Sequence, residues 1–383
     1  MRLPSVPFPQ ARGLRGVDFI DLRSPSEFLR DHVPGARNVP LLDNQGRAAV
    51  GLLYHKKSPE AALAYGLRLV ERGLGQKLEA VLGRPVSRVE WGRIFQALAS
   101  RLGRKLGEIR LETNHELASA PKVKVVYCWR GGMRSSSMAA LLNLMGEGPV
   151  AVLEGGYKAY RGWVMDSVSS ISGSIPLLVL RGPTGVGKTD ALRNLEEVMP
   201  GSTLDLEGMA QHRSSALGDI GTSPVSQPAF ESAIVARLGA MSSPPWFIEG
   251  ESRKVGDVQI PLGLFQAMER GDQIQIEAPL EWRVDFLGHE YLGHPDASAS
   301  LAERLPFLES RMGSEWSGRL TGGLALGRWR EVAKGLLENY YDPLYLHHDR
   351  GRNFLETLRS DKPGLVGDLI SLREQGATLA PPA

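Results

Sequence analysis

A single cysteine, Cys128, ends the apolar run VKVVY and opens the segment CWRGGMRSSS, after which SMAALLNLM has helical spacing. The cysteine therefore belongs to a loop joining a strand end to a helix N-terminus. Backbone N–H groups converge at such a place and the helix dipole is positive, so the loop favours a thiolate and cradles a tetrahedral anion. Gly131 and Gly132 allow close backbone approach. Arg130 and Arg134 add charge, and Arg134 stands where a guanidinium can grip an oxyanion in bidentate fashion. Cys128, Arg130 and Arg134 are the catalytic candidates, with Cys128 as a nucleophile or chalcogen carrier. A small buried thiol is the competing reading, and the coincidence of strand, glycines, arginines and helix start weighs against it.

A second loop carries phosphate chemistry. Gly182, Gly187, Lys188 and Thr189 complete G-x-x-x-x-G-K-T, with Gly185 inside it, between the apolar run PLLVL and the helical pattern DALRNLEEVM. Loop amides would wrap a diphosphate, Lys188 would neutralise it, and Thr189 could ligate Mg²⁺. Acidic partners are offered by STLDLEG, with Asp205 and Glu207, and by PWFIEGESRKVG, with Glu249, Glu251 and the neighbouring Arg253. The diphosphate-binding candidates are thus Gly182, Gly185, Gly187, Lys188, Thr189, Asp205, Glu249 and Arg253. No residue is assigned to a resident metal. A nucleotide hydrolase would show an Asp at such a strand end and a water-orienting residue, whereas here the residue is a glutamate and no base-recognition motif is found. The carboxylates serve equally well as structural hydrogen-bond acceptors.

The elements that must position these loops read as α/β throughout. From Val17 to about Gly162, strand-like runs (VDFIDL, KVVYCW, VAVLEGG) alternate with helical ones (SEFLRDHV, SSMAALLNLMG), which implies a parallel sheet. A helix-rich insertion spans about 59–118, and we expect it on the sheet's flank. The serine-rich segment 165–176 marks a boundary, giving domains at 1–165 and 175–383. The second domain takes further strands at STLDL, PWFIEG and DQIQIEA, then a long helical region from Glu281 to about Glu374 and a frayed tail, GATLAPPA.

At 383 residues the chain suits two domains, and 42% apolar with 23% charged residues is ordinary for a globular protein. A net charge of +2 is too mild to indicate nucleic acid without local clustering. One cysteine excludes an internal disulfide and fits the cytoplasm. Neither a signal segment nor an apolar run of membrane-spanning length is found.

IDLRSPSEFLRDHVPGARNVPL, with His32, Pro34, Gly35, Ala36 and Asn38, and LEGGYKAYRGW resemble the opening and closing segments of a rhodanese domain. The loop is a residue longer than in single-domain sulfurtransferases. C-x5-R is the length found in cysteine phosphatases, although Tyr127 stands where those carry histidine. Such a loop suits a phosphate or selenophosphate. The joining of C-W-R-G-G-M-R-S to G-P-T-G-V-G-K-T, together with LDLEGMAQHRSSALG, SQPAFE, FIEGESRKVG and YYDPLY, resembles the tRNA 2-selenouridine synthase family over nearly the whole chain. HRSS at 212–215 departs from that family, which usually has glycine after the arginine.

The resemblance implies a rhodanese-like N-terminal domain fused to a P-loop domain, acting on 2-thiouridine at the wobble position of tRNA. Geranyl diphosphate alkylates the sulfur, then selenophosphate supplies the selenium that displaces the geranylthio group. A selenophosphate-supplying enzyme is a further expected partner, and a membrane is not. Arg283, Arg304, Arg311, Arg319, Arg328, Arg330 and Lys334 could hold tRNA, and each could equally lie on a solvated helix face. His212 and Arg213 could reach the substrate, whereas His32 braces its turn. The alternatives are a P-loop kinase or nucleotidase with a regulatory rhodanese domain, a persulfide or selenide carrier, and a cysteine phosphatase.

Overall fold

The computed structural model describes residues 2–104, 110–113, 117, 120–294, 296–348 and 351–379. Parts of the end of the expected insertion and the last four residues of the tail lie outside the described residues. The chain forms two compact units, Met1–Asp166 and Ser167–Ala383, and its α/β class with parallel sheets is the one the alternation implied. Among the described residues, no helix is long and apolar enough to cross a membrane.

In chain order the first unit contains β1 (Arg2–Val6), α1 (Phe8–Ala11), β2 (Asp18–Asp21), α2 (Pro25–Arg30) and β3 (Arg37–Asn38), followed by α3 (Asn44–Lys56), α4 (Pro59–Arg72), α5 (Leu74–Leu82) and α6 (Arg88–Arg104). It closes with β4 (Arg110–Thr113), β5 (Lys124–Tyr127), α7 (Met133–Leu144), β6 (Val150–Leu153) and α8 (Gly156–Ser169). The six strands lie in the order β3-β2-β5-β6-β1-β4, with every neighbouring pair parallel. Val125 and Val126 of β5 and all of β6 are buried, as expected of a parallel sheet covered on both faces. Leu74, Leu78, Val81, Trp91, Phe95 and Leu98 of α5 and α6 join Ile20, Val126, Met138 and Leu142 in one core.

Three strands here escaped the sequence reading, among them the two-residue β3. β1 carries Pro4, which removes a ladder donor and weakens the strand signal. Pro4 is tolerated because β6 pairs only with Ser5 and Val6. β4 is an exposed edge without an apolar run. Helical structure also begins before residue 59, where the Asp43 carboxylate accepts from Gly46 N at 2.6 Å and caps α3.

The second unit runs through β7 (Leu177–Arg181), α9 (Lys188–Val198), β8 (Thr203–Leu204), α10 (Leu206–Ala210), α11 (Gln227–Leu238), β9 (Trp246–Glu249), a hairpin of β10 (Lys254–Val255) and β11 (Val258–Gln259), α12 (Leu262–Arg270) and β12 (Asp272–Glu277). After these come α13 (Leu280–Leu292), α14 (Ala297–Met312), α15 (Arg319–Ala325), α16 (Trp329–Leu336), α17 (Asp342–His348), β13 (Glu356–Arg359) and α18 (Leu365–Leu379). The main sheet is parallel, in the order β13-β12-β7-β9-β8. The region expected to be helical from Glu281 to Glu374 is therefore interrupted by β13. That strand is an edge with a largely exposed ETLR sequence and leaves no alternating signature. The tail expected to be frayed remains helical through Leu379.

Candidate active site

Both chemistry-bearing loops leave the C-terminal end of a central parallel strand, the position where open α/β sheets collect ligands. Cys128 follows β5 and is buried at 3% exposure, with its Sγ 3.3 Å from Ser135 Oγ. Ser135, in the first turn of α7, also donates to the Gly132 carbonyl at 3.0 Å. Gly131 has φ +64°, and a Cβ there would stand 2.7 Å from the Leu153 carbonyl oxygen, so only glycine allows this approach. The Cys128 and Trp129 carbonyls accept from Tyr157 and Lys158 N–H, both at 2.9 Å, which ties the loop to α8. Arg130 is exposed. Arg134 is half-buried, with Nη1 4.0 Å from Glu27 Oε2 and without a hydrogen-bond partner.

Beneath the loop lies a rigid polar base. Arg23, 1% exposed, donates through Nη2 to Asp21 Oδ2 and to the Asp31 carbonyl, both at 2.6 Å, and its guanidinium sits 3.8 Å from the Tyr157 ring centroid. The Tyr157 hydroxyl donates to Asp31 Oδ2 at 2.8 Å, and burial raises its pKa. Tyr127 accepts from Val33 N–H at 3.2 Å, and burial holds this phenol well above its ordinary value. His32 meets the Phe28 carbonyl at 3.0 Å and stacks on the Phe28 ring, bracing its turn.

The phosphate loop follows β7. Gly182 has φ +138°, and a Cβ there would fall 2.2 Å from the Ile276 carbonyl oxygen. Gly185 and Gly187 also have positive φ. Lys188, 9% exposed, donates to the Gly182 carbonyl at 2.8 Å and lies 5.2 Å from the Tyr345 ring centroid. Thr189 donates to Glu207 Oε2 at 2.9 Å. Arg283 holds the loop from outside, donating to the Thr184 carbonyl at 2.8 Å while pairing with both oxygens of Asp342. A cavity of about 60 Å³ at the loop, lined by Lys188, Thr189, Glu207, Arg213 and Tyr345 among others, shares Thr184, Ser215, Leu287 and Tyr291 with an apolar one of about 70 Å³. Leu217, Leu301, Trp329, Leu336 and Tyr341 line this second cavity.

Four acidic residues crowd the neighbouring strand ends. Burial, with Glu251 beside it, pushes the Glu207 carboxyl up to about 8. Burial, with Asp205 and Glu207 close by, holds Glu249 well above the ordinary range. Asp205 is raised by burial and caps α10, accepting from Gly208 N at 2.6 Å. The loop glycines, Lys188, Thr189, Glu207 and Glu249 thus come together, while Arg253 is exposed just before the hairpin. Among the described residues, no three His, Cys, Asp or Glu side chains group as a metal site.

Several sequence candidates for tRNA contact have partners within the chain. Arg283 is 5% exposed; Arg304 pairs with Asp219, Arg330 with Asp285 and Lys334 with Glu281. Arg319 is exposed over Trp316, and Arg328 is exposed near Glu331. Arg213 lines the phosphate-loop cavity and donates to Glu290 at 2.7 Å. The His212 ring packs against Gly218 and Gly256, and burial lowers its pKa. Ser135, Arg283 and Tyr345 went unassigned at the two loops. For Ser135 the signal was a hydroxyl in the first turn after the cysteine, and Tyr345 closes the YYDPLY segment.

A sequence model described as "tRNA 2-selenouridine synthase AAA domain" matches residues 175–324. The chain is 30% identical to a tRNA 2-selenouridine synthase of Pseudomonas entomophila over 94% of its own length and 93% of the relative's. It is 32% identical to one from Chromohalobacter salexigens, covering 85% and 86%, and 28% identical to one from Cupriavidus pinatubonensis, covering 95% and 96%.

Proposed function

The chain belongs to the tRNA 2-selenouridine synthase family, and on that premise we propose that it is a tRNA-modifying transferase that converts 2-thiouridine to 2-selenouridine by geranylation followed by selenium exchange. In the first step the thiouridine sulfur attacks C1 of geranyl diphosphate, the C–O bond breaks, and diphosphate leaves. Gly182, Gly185, Gly187 and Lys188 hold that diphosphate and stabilise the charge as it develops. A magnesium ion accompanying it would be held by Thr189 with Glu207 alongside, adding positive charge against the leaving group. In the second step a selenium nucleophile from selenophosphate adds at C2 and expels geranylthiol, and hydrolysis of the Se–P bond frees phosphate. Cys128, Arg130 and Arg134 serve this step, with tRNA as the acceptor in the cytoplasm and a selenophosphate-forming enzyme upstream.

What carries the reading is the surroundings of the phosphate loop. Its polar cavity shares four residues with an apolar one lined by leucines, Trp329 and Tyr341. That lining suits the first carbons of a hydrocarbon attached to a diphosphate better than a nucleobase, which needs hydrogen-bonding edges. The test is to incubate the purified protein with 2-thiouridine tRNA, geranyl diphosphate and selenophosphate, and to follow nucleosides by mass spectrometry. S-geranyl-2-thiouridine should rise first and 2-selenouridine should replace it. Selenium incorporation that needs no geranyl diphosphate would contradict the scheme.

A further inference from the structure

A cavity of about 540 Å³ in the first unit lies between α3, α4, α6 and α7. The cavity opens to solvent beside Arg47, Tyr54 and His55, and a cavity of roughly 150 Å³ already accepts benzene. Its walls are hydrocarbon: Val50, Ala62, Leu67, Phe95, Leu98 and Leu141 are among the lining residues. Charged and polar groups also reach it, namely Arg47, His55, Arg134 and Ser137.

Arg134 joins the two features. It is the second residue of α7, directly after the cysteine loop, and it also lines the cavity. Its Nη1 is buried without a hydrogen-bond partner, 4.0 Å from Glu27 Oε2, while the side chain as a whole is 28% exposed, so the guanidinium keeps donor capacity for an incoming acceptor. An apolar hollow with a half-buried cationic group at the edge of an anion-binding loop fits an amphiphile with a hydrocarbon tail and a polar, acceptor-bearing head. We propose that this cavity seats a branched hydrocarbon chain of about ten carbons joined through sulfur to a nucleobase, with the base presented at the Cys128 loop and Arg134 at the junction. The proposal rests on the two-step reading above and gives the alkyl group a second seat, in the first unit, for the step in which it departs. The small cavities at the phosphate loop leave that role open to this larger one.

Gly51 of α3 provides the test. It lines the cavity, a Cβ there would meet nothing within 4 Å, and its φ is ordinary. Replacing a helix-interior glycine raises helix propensity, so Gly51→Phe should fold and fill the space, while Gly51→Ala adds a single methyl. Binding of S-geranyl-2-thiouridine and S-methyl-2-thiouridine nucleosides to the full chain would be measured by equilibrium dialysis. Wild type should prefer the geranyl nucleoside by at least 10²-fold, since each buried methylene is worth about four-fold. Gly51→Phe should lose at least ten-fold of that preference and Gly51→Ala less than three-fold, with geranyl transfer from geranyl diphosphate unchanged in both. Equal binding of the two nucleosides to wild type, or a Gly51→Phe preference like that of wild type, would overturn the proposal. Gly51-dependent binding in a protein that forms no S-geranyl or selenium product would keep the cavity and refute the two-step reading instead.

Discussion

The backbone N–H of Glu207 donates to Oε1 of Glu249 at 2.6 Å, while Oε2 of Glu249 is buried without a hydrogen-bond partner. Burial, with other acids around it, holds the Glu249 carboxyl well above its ordinary range and so favours the neutral form. Glu249→Gln keeps the shape, the acceptor and the neutrality, so it should cost less than about 1 kcal/mol at pH 7. Glu249→Ala orphans the Glu207 N–H and opens a void, and should cost about 2–4 kcal/mol. Urea midpoints of the two variants decide the matter, and equal destabilisation would show that a charged Glu249 is required.

Glu207 makes the phosphate loop pH-sensitive. Its folded pKa of about 8 lies above the ordinary 4.5, so the native state binds more protons than the unfolded chain between those values. Stability should therefore fall as pH rises through that window, by at most about 1.4 kcal/mol per pH unit per proton. Above pH 8 the ionised carboxylate also repels a bound anion. Calorimetric titration with inorganic diphosphate at pH 7, 8 and 9 should show affinity falling, and Glu207→Gln should flatten the trend. A flat wild-type profile would place the Glu207 titration elsewhere.

Lys188 should matter to one step only. Lys188→Ala is expected to slow geranyl transfer by about 10²- to 10³-fold, the range for removing one preorganised donor. Supplied with pre-geranylated tRNA, the same variant should still exchange selenium for the geranylthio group. Wild-type geranylation should proceed without ATP, and strict dependence on ATP hydrolysis would return the second unit to the kinase reading.

The base of the cysteine loop should be unforgiving. Arg23 and Asp21 are 1% and 0% exposed and joined by three side-chain hydrogen bonds. Removing one partner leaves a buried uncompensated charge, so Arg23→Met should destabilise the protein by about 3–5 kcal/mol. Thermal unfolding measures this, and a loss below 1 kcal/mol would mean that Asp21 finds another partner or a proton.

The two loops were legible because each is local: a strand end, a run of small or basic residues and a helix start lie within a short stretch of sequence. The alternation of KVVY, VAVL and PLLVL with helical segments likewise announced parallel sheets. What escaped is non-local. Nothing near Thr184 announces that Arg283 and Asp342 will clamp it, and Tyr345 reaches Lys188 from a distant helix. The basic residues of the tail left tRNA contact and a solvated helix face equally open, because a sequence does not show that Arg304, Arg330 and Lys334 each face an acid. The β13 edge strand was hidden in the same way, since an exposed strand lacks the apolar run by which a strand is recognised.

Two chemistries divide between two loops, and replacing Cys128 separates them. The measurement is nucleoside mass spectrometry of tRNA from a strain whose only copy of the protein carries Cys128→Ala. That tRNA should contain no 2-selenouridine and should accumulate S-geranyl-2-thiouridine, because geranyl transfer belongs to the phosphate loop. Normal 2-selenouridine in that strain would contradict this division.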